Sequence, residues 1–352
     1  MGRRALQSFE PLEWTARQVT ASYRQAPQAT SSQNGRTTAP YVASTHDIDE
    51  QAALLRGWNQ TYEQISTGPF EGSFLEVELQ GVLLFREITS NALHQTGALP
   101  AGTIAIGVPI ALRGNATFCG RPCNGTQLHV FSGNDAFEFF SPSGLDIAGL
   151  VLPEDDLRNA LTQDEFETLL PTLRNPHLRP RSHDAARNLL RTFAEICEVM
   201  TTSPNGVDDP LCLSSMSRSM TAALSSALTG TERTFETPPA RRARIVRNAR
   251  DLLHECPDHY QSVEELCRAL GVSRRTLQQS FQETLGLKPT AYLRAIRMNG
   301  ARRAIKHACS VSEAATLWGF WHFGRFARDY KAMFGELPSE TFRRHHRADE
   351  PG

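Results

Sequence analysis

Apolar and polar positions change rhythm three times along the chain. The first 40 or so residues, including the polar run Gln25–Pro40, show no period and predict a weakly ordered tail over 1–46. Between Asp47 and Tyr62, the residues Leu54, Leu55, Trp58 and Tyr62 recur at helical spacing and predict a short helix. The period then drops to two: Leu75, Val77 and Leu79 alternate with Glu76, Glu78 and Gln80, a turn falls near Gly81, and a second strand follows. Short apolar runs at 103–112, 127–133, 136–142 and 145–153 are punctuated by Gly, Pro, Asn and Asp. Gly72 to Leu152 therefore predicts a compact antiparallel β unit, a barrel or a sandwich.

Beyond Pro153 the pattern turns helical, with candidate helices at 154–161, 162–170, 183–200 and 209–228. In the third, Ala186, Leu189, Leu190, Phe193, Ile196 and Cys197 share one stripe, which is the face of a packed helix. That stripe faces either the β unit or a second copy of the chain. Pro238 and Pro239 interrupt the pattern and place a linker at 230–240. The expected frame is α+β: a β-rich sensing or dimerisation unit with trailing helices over 47–229, and an all-α unit over 241–347.

The all-α unit repeats itself. Val263, Gly271, Gly286 and Pro289 recur as Val311, Gly319, Gly335 and Pro338, with one extra residue in the second copy between its two glycines. Each copy reads as a short amphipathic helix, a glycine turn, a longer helix, a glycine and a proline, so a helix-turn-helix is written twice. Leu266, Ala269, Leu270, Leu277 and Phe281 supply the apolar angle of the first copy, and Ser273 is placed to cap its second helix. Opposite that angle lie Arg274, Arg275, Gln278 and Gln279. Arg suits guanine edges and Gln suits adenine edges in the major groove, so this helix reads as a DNA-recognition helix. Between the copies a helix of about 16 residues, about 24 Å long, carries Leu293, Ile296, Gly300, Ala301, Ala304 and Ile305 on one stripe, with Arg294, Arg297, Arg302 and Arg303 mostly outside it. Such a spacer can set two readers about one DNA turn apart.

Charge sharpens this division. Residues 241–347 hold 20 Lys+Arg and 10 Asp+Glu, a net of +10, which leaves −11 for the rest of the 352-residue chain. One cationic end implies a polyanionic partner for that end alone. The length suits two domains. No apolar run approaches the roughly 18 residues of a membrane span, and Arg3 and Arg4 are followed by no apolar stretch of a secretory signal, so cytoplasmic residence is expected. Seven scattered cysteines predict reduced thiols.

On the full double motif, with Gly319-Phe320 and the run Phe334–Arg343, residues 241–344 resemble the AraC family of bacterial transcription regulators. The resemblance implies that both second helices enter successive major grooves of promoter DNA. It places Arg275, Gln278 and Gln279 at bases in the first groove, with Arg274 beside them and Ser273 and Thr276 near phosphate. In the second it places Arg328 at bases, surrounded by His322, Gly324, Arg325 and Lys331. RNA polymerase and a second copy of the chain are the further partners implied, with residence at the nucleoid. The second copy departs from the family's polar pattern at Trp321 and Phe323 and spends about 1 kcal/mol of helix propensity on Gly324. Trp318 and Phe326 are expected in the core, whereas Trp321 and Phe323 suit core packing and DNA contact equally. The run 318–330, with Tyr62–Gln95 and Cys119–Gly125, is similar to the ethanolamine-utilisation operon regulator branch, whose members respond to ethanolamine with adenosylcobalamin.

Other chemistry is thinly signalled. Cys119, Cys123 and His129 fall short of a four-ligand zinc set. No nucleotide-binding, metalloprotease or serine-hydrolase pattern occurs, and no Pro-Cys-His-Arg setting of a methyl-transfer repair enzyme, so catalysis and a required cofactor are not expected. Glu87 and Glu138, with Phe85, Phe137 or Trp58, are either an ammonium pocket or ordinary solvated strand positions. His345 and His346 read as a solvated tail near phosphate. The expected function is a sequence-specific activator with a small-molecule sensor; the alternative is a ligand-independent regulator whose first domain binds another protein.

Overall fold

Alternation of apolar residues resolves into two antiparallel sheets in the computed structural model, which describes residues 39–346 except 126, 174–176, 179, 181, 204–206, 208, 229–240 and 257–261. The larger sheet runs in the order β1 (Tyr41–Thr45), β3 (Gly72–Glu78), β4 (Leu83–Thr89), β11 (Leu145–Pro153), β6 (Thr103–Ala111), β9 (Leu128–Ser132) and β12 (His177–Leu178). The smaller runs β2 (Asn59–Gln64), β5 (Leu93–Ala98), β10 (Phe137–Ser141), β7 (Ala116–Phe118) and β8 (Arg121–Cys123). Phe118, Phe131, Phe137, Phe139 and Ile147 fill the space between the sheets.

The outer faces are covered as well, which explains why several strands read as continuous apolar runs. On the larger sheet, Leu84, Ile106, Val130 and Leu150 pack under the helices α2 (Glu154–Ala160), α3 (Gln163–Leu173), α4 (His183–Thr202) and α5 (Pro210–Leu228). The α4 stripe of Ala186, Leu189, Phe193, Ile196 and Cys197 is buried there, so it meets the β unit. On the smaller sheet, Phe140 turns away from Phe139 and joins the core of the C-terminal helices. Those helices are α6 (Arg241–Glu255), α7 (Val263–Leu270), α8 (Arg274–Leu285), α9 (Pro289–Ile305), α10 (Val311–Leu317), α11 (Phe323–Phe334) and α12 (Pro338–His346).

Three expectations change. Tyr41–Thr45, placed by composition in the tail, is an edge strand paired with β3. The helix expected from Asp47 to Tyr62 is confined to α1 (Ile48–Ala53), whose first turn is capped by the Asp47 carboxylate. Gly57 adopts φ of +78°, and the chain then pairs as β2, with Tyr62 opposite Gln95. Long-range pairing thus overrides an accidental helical spacing. The His345-His346 end is the last turn of α12, with His346 Nδ1 2.9 Å from the Phe342 carbonyl. Residues 1–38 and the linker at 230–240 lie outside the described residues. No helix among the described residues is long and apolar enough to cross a membrane.

Candidate nucleic-acid interface

The first helix-turn-helix is assembled from local signals that agree. Ser262 and Glu265 form a reciprocal capping box at the start of α7, and Gly271 ends that helix in the left-handed region at φ of +61°. Ser273 Oγ accepts from the Thr276 amide at 3.1 Å and starts α8. Leu266, Leu277 and Phe281 lock α7 and α8 against Val246 and Ala249 of α6 and Ile296 of α9. That packing leaves Ser273, Arg274, Arg275, Gln278 and Gln279 exposed on one side, with Thr276 half-buried beside them. Arg274 pairs with Glu264 at 2.7 Å, and Gln279 Nε2 donates to Glu283 at 2.9 Å.

The second unit repeats the design with a different turn. Ala314, Ala315, Phe326, Tyr330 and Met333 pack on Ala295, Met298, Ala301 and Ile305 of α9. Both second helices have 12 residues, but three residues join α7 to α8 whereas five, Trp318 to His322, join α10 to α11. The extra residue of the second copy is therefore absorbed in the turn. Arg275 corresponds in place to Gly324, and Gln279 to Arg328. His322, Gly324, Arg325, Arg328 and Lys331 are all exposed. Phe326 is core, and Trp318 is half-buried against Gly300, where a Cβ would overlap its indole ring. Trp321 and Phe323 are 65% and 47% exposed, which separates them from the core aromatics.

Several arginines do not lie where the helical stripe put them. Arg297 turns inward and donates to the carbonyls of Trp318 at 2.8 Å and Gly319 at 2.6 Å, with its guanidinium 4.8 Å from the Phe320 ring centre. This holds the second turn onto α9. Arg302 is buried between Asp47 and Glu336, at 3.2 and 3.0 Å. Arg303 reaches Asp49 and Glu63, both at 2.8 Å. Only Arg294 of the four remains exposed, paired with Asp329, which also lies 3.7 Å from Arg325. Asp329 thus holds two cations near a cleft of about 440 Å³ between the two units. Sequence reading passed over Asp329, for which the surrounding Arg325, Arg328 and Lys331 were the available signal, and placed Arg297 outside the packed stripe.

The double unit is docked on the smaller sheet. Asn299 in α9 accepts from the Gln64 amide at 3.2 Å and donates to the Gln64 carbonyl at 2.8 Å, so it continues the edge of β2. Gln64 Nε2 donates to the Met333 carbonyl at 2.7 Å. Tyr292 lies 2.8 Å from His94 Nδ1, and His94 Nε2 is 3.1 Å from Glu138. Arg247 and Arg250 complete the partners of Glu138, at 3.2 and 3.4 Å. Burial opposes charge on Glu138, but His94 and these arginines together hold its carboxyl below the usual range. Burial pushes Glu87 up to about 7, although Gln51 and Tyr62 donate to it. Glu87 and Glu138 sit on different sheets with these partners, so they do not form a shared ammonium pocket. Cys119 lies in the β7–β8 turn and Cys123 ends β8, and burial pushes their thiols up to about 11 and about 12.

Residues 266–344 match the family described as a helix-turn-helix domain. The chain is 43% identical over 115 residues to the probable thc operon regulatory protein of Rhodococcus erythropolis, covering 32% of this chain and 34% of that protein. It is 36% identical over 86 residues to the XylDLEGF operon transcriptional activator of Pseudomonas putida, covering 23% of this chain and 27% of the activator. The match thus spans about a third or less of these curated relatives. Among solved structures the chain is similar to the AraC-like transcriptional activator CuxR at 14% identity and a TM-score of 0.42, covering 76% of this chain and 96% of that one. The C-terminal unit is a double helix-turn-helix DNA-binding domain.

Proposed function

We propose that the whole chain is a sequence-specific transcription activator that binds promoter DNA through α8 and α11 and senses a small molecule through its first domain. The observation that carries this reading is the pair of second helices, each seated on an apolar base, each presenting cationic or amide side chains to solvent, and both fixed to one helix, α9. Arg275, Gln278, Gln279 and Arg328 are the base-reading candidates. Ser273, Arg274, Thr276, His322, Gly324, Arg325 and Lys331 position the backbone. A cytoplasmic, nucleoid-bound homodimer that recruits RNA polymerase, catalyses no reaction and requires no cofactor completes the proposal.

Ethanolamine, alone or with adenosylcobalamin, is the proposed effector class; the support is the sequence resemblance in residues 62–95, 119–125 and 318–330. Activation is then a population shift, in which effector binds the DNA-competent arrangement more tightly than the idle one. Selection of bound duplexes from a random pool, with and without those ligands, tests both levels. Two enriched boxes about one turn apart are expected. Uniform retention of all sequences would remove the specific reading, and enrichment that ignores the ligands would remove ethanolamine.

A further inference from the structure

The two second helices, α8 and α11, border one cleft. Its volume is about 440 Å³, and its wall takes in Arg274, the first residue of α8, and His322, which immediately precedes α11. In a helix-turn-helix the N-terminal residues of the second helix are the ones that reach base edges. With those two ends in successive major grooves, what crosses the cleft is the sugar-phosphate backbone between the grooves.

The wall suits such an occupant. It holds four guanidinium groups, of Arg274, Arg294, Arg297 and Arg325, against the carboxylates of Glu264 and Asp329. Arg297 is engaged by the carbonyls of Trp318 and Gly319, and Arg274 is paired with Glu264. Arg294 and Arg325 are placed differently: their side chains are 48% and 73% exposed, and both lean on a single oxygen, Oδ2 of Asp329. Asp329 is the one acid in α11 and stands next to Arg328. A carboxylate there opposes a polyanion, and the helix-turn-helix design does not require it. Ser280 holds the same place in α8, where its hydroxyl donates to the Thr276 carbonyl of its own helix at 2.8 Å.

Resting on the regulator reading above, we infer that the cleft seats the DNA backbone between the two grooves, with Arg294 and Arg325 as its phosphate contacts and Asp329 as a specificity-determining residue that withholds them from loosely bound DNA. A duplex in a loose encounter meets two cations that are already neutralised. Only a duplex drawn close by base contacts from α8 and α11 brings a phosphate near enough to take the place of the carboxylate. The exchange adds two phosphate contacts to the matched complex and none to the mismatched one, so Asp329 widens the gap between them.

The salt dependence of binding by the full chain tests this, because log affinity falls with log salt by about 0.9 for each phosphate neutralised. The probes are the duplex selected from the random pool and a scrambled duplex of equal length. For the wild-type chain the slope is expected to be steeper on selected DNA by about two. Asp329→Asn should steepen the slope on scrambled DNA by about two, raise affinity there by about three- to tenfold near 50 mM salt, and so bring the two slopes together. Arg294→Gln and Arg325→Gln, at exposed positions, should each flatten the slope on selected DNA by about one with the base preference kept, and Asp329→Glu should keep the wild-type slopes. The inference is overturned if Asp329→Asn, with its unfolding midpoint as in wild type, leaves the scrambled-DNA slope unchanged, or if the arginine variants change base preference rather than slope. Should Asp329→Asn prove destabilised, the arginine variants decide, and unchanged slopes in both overturn the inference. If the pool yields no selected duplex the regulator reading falls, while a steeper slope on random DNA in Asp329→Asn would still assign the cleft to phosphate.

Discussion

Gly324 stands in α11 where Arg275 stands in α8, and a Cβ built on it meets no heavy atom within 4 Å. Packing therefore does not demand glycine there. Gly324→Ala should raise stability by about 0.5 to 1 kcal/mol in thermal unfolding, the helix-propensity difference, while lowering affinity for a selected DNA site. A gain in both would show that the missing side chain serves no approach to DNA. Arg275→Ala and Arg328→Ala should each cost about 1 to 3 kcal/mol in binding to the selected duplex and relax its preference in one groove. A loss of the same size on every duplex would move those side chains to phosphates. At this scale the sequence was informative: residue type and helical spacing put Arg275 on the solvent side, the resemblance put Gly324 and Arg328 there, and all three are exposed. Trp321 and Phe323 were not decidable that way, because an aromatic in a turn satisfies a core and a surface pattern equally until the neighbouring helix is placed.

At the scale of elements, α9 is what both readers share. It faces the first unit with Leu293 and Ile296, the second with Ala295 and Met298, and the sheet with Asn299 and Arg303. Its closest packing is at Gly300, against Trp318, and Gly300→Ala should cost about 1 to 3 kcal/mol in denaturant unfolding as the indole is forced aside. An unchanged midpoint would mean that Trp318 has room to move. Periodicity found α9 and its apolar stripe. It misplaced three arginines, since a helix enclosed on three sides turns polar residues inward when carbonyls or carboxylates wait there. The strands behaved similarly. β3 and β4 were legible from alternation and spacing, whereas β2 and β5 carry Gln60, Tyr62, Glu63, His94 and Gln95, whose pattern makes sense only once a second domain covers the sheet.

For the molecule as a whole, the buried acids set how stability follows pH. Glu63 and Glu87 are both raised from an ordinary 4.5 to about 7, the first despite Arg303 and the second despite Gln51 and Tyr62, because burial dominates. The folded chain thus holds protons that the unfolded chain has released, so this contribution is complete below about 4.5 and is lost as pH rises through about 7. Asp47 works in the opposite sense. Burial opposes its charge, yet Arg302 and Lys306 hold it down at about 2, so its contribution is present above 3.8 and fades as pH falls through about 2. Chemical denaturation across this range should show stability declining from about pH 5 to pH 7.5, and Glu87→Gln should remove a share on the order of 3 kcal/mol. A decline of equal size in that variant would exclude Glu87 as a source.

The 17 residues of α9 also act as a phase setter between the two readers. Each residue of an α-helix adds about 1.5 Å and turns the chain by about 100°, so inserting one residue midway would swing one reader far around the axis while barely changing the separation. Seven residues would nearly restore the heading and lengthen the span by about 10.5 Å, or some three base pairs. On the regulator reading proposed above, operators would therefore drift in the bases inside each box far more readily than in the interval between the boxes, because no gradual change in the helix can follow a gradual change in that interval.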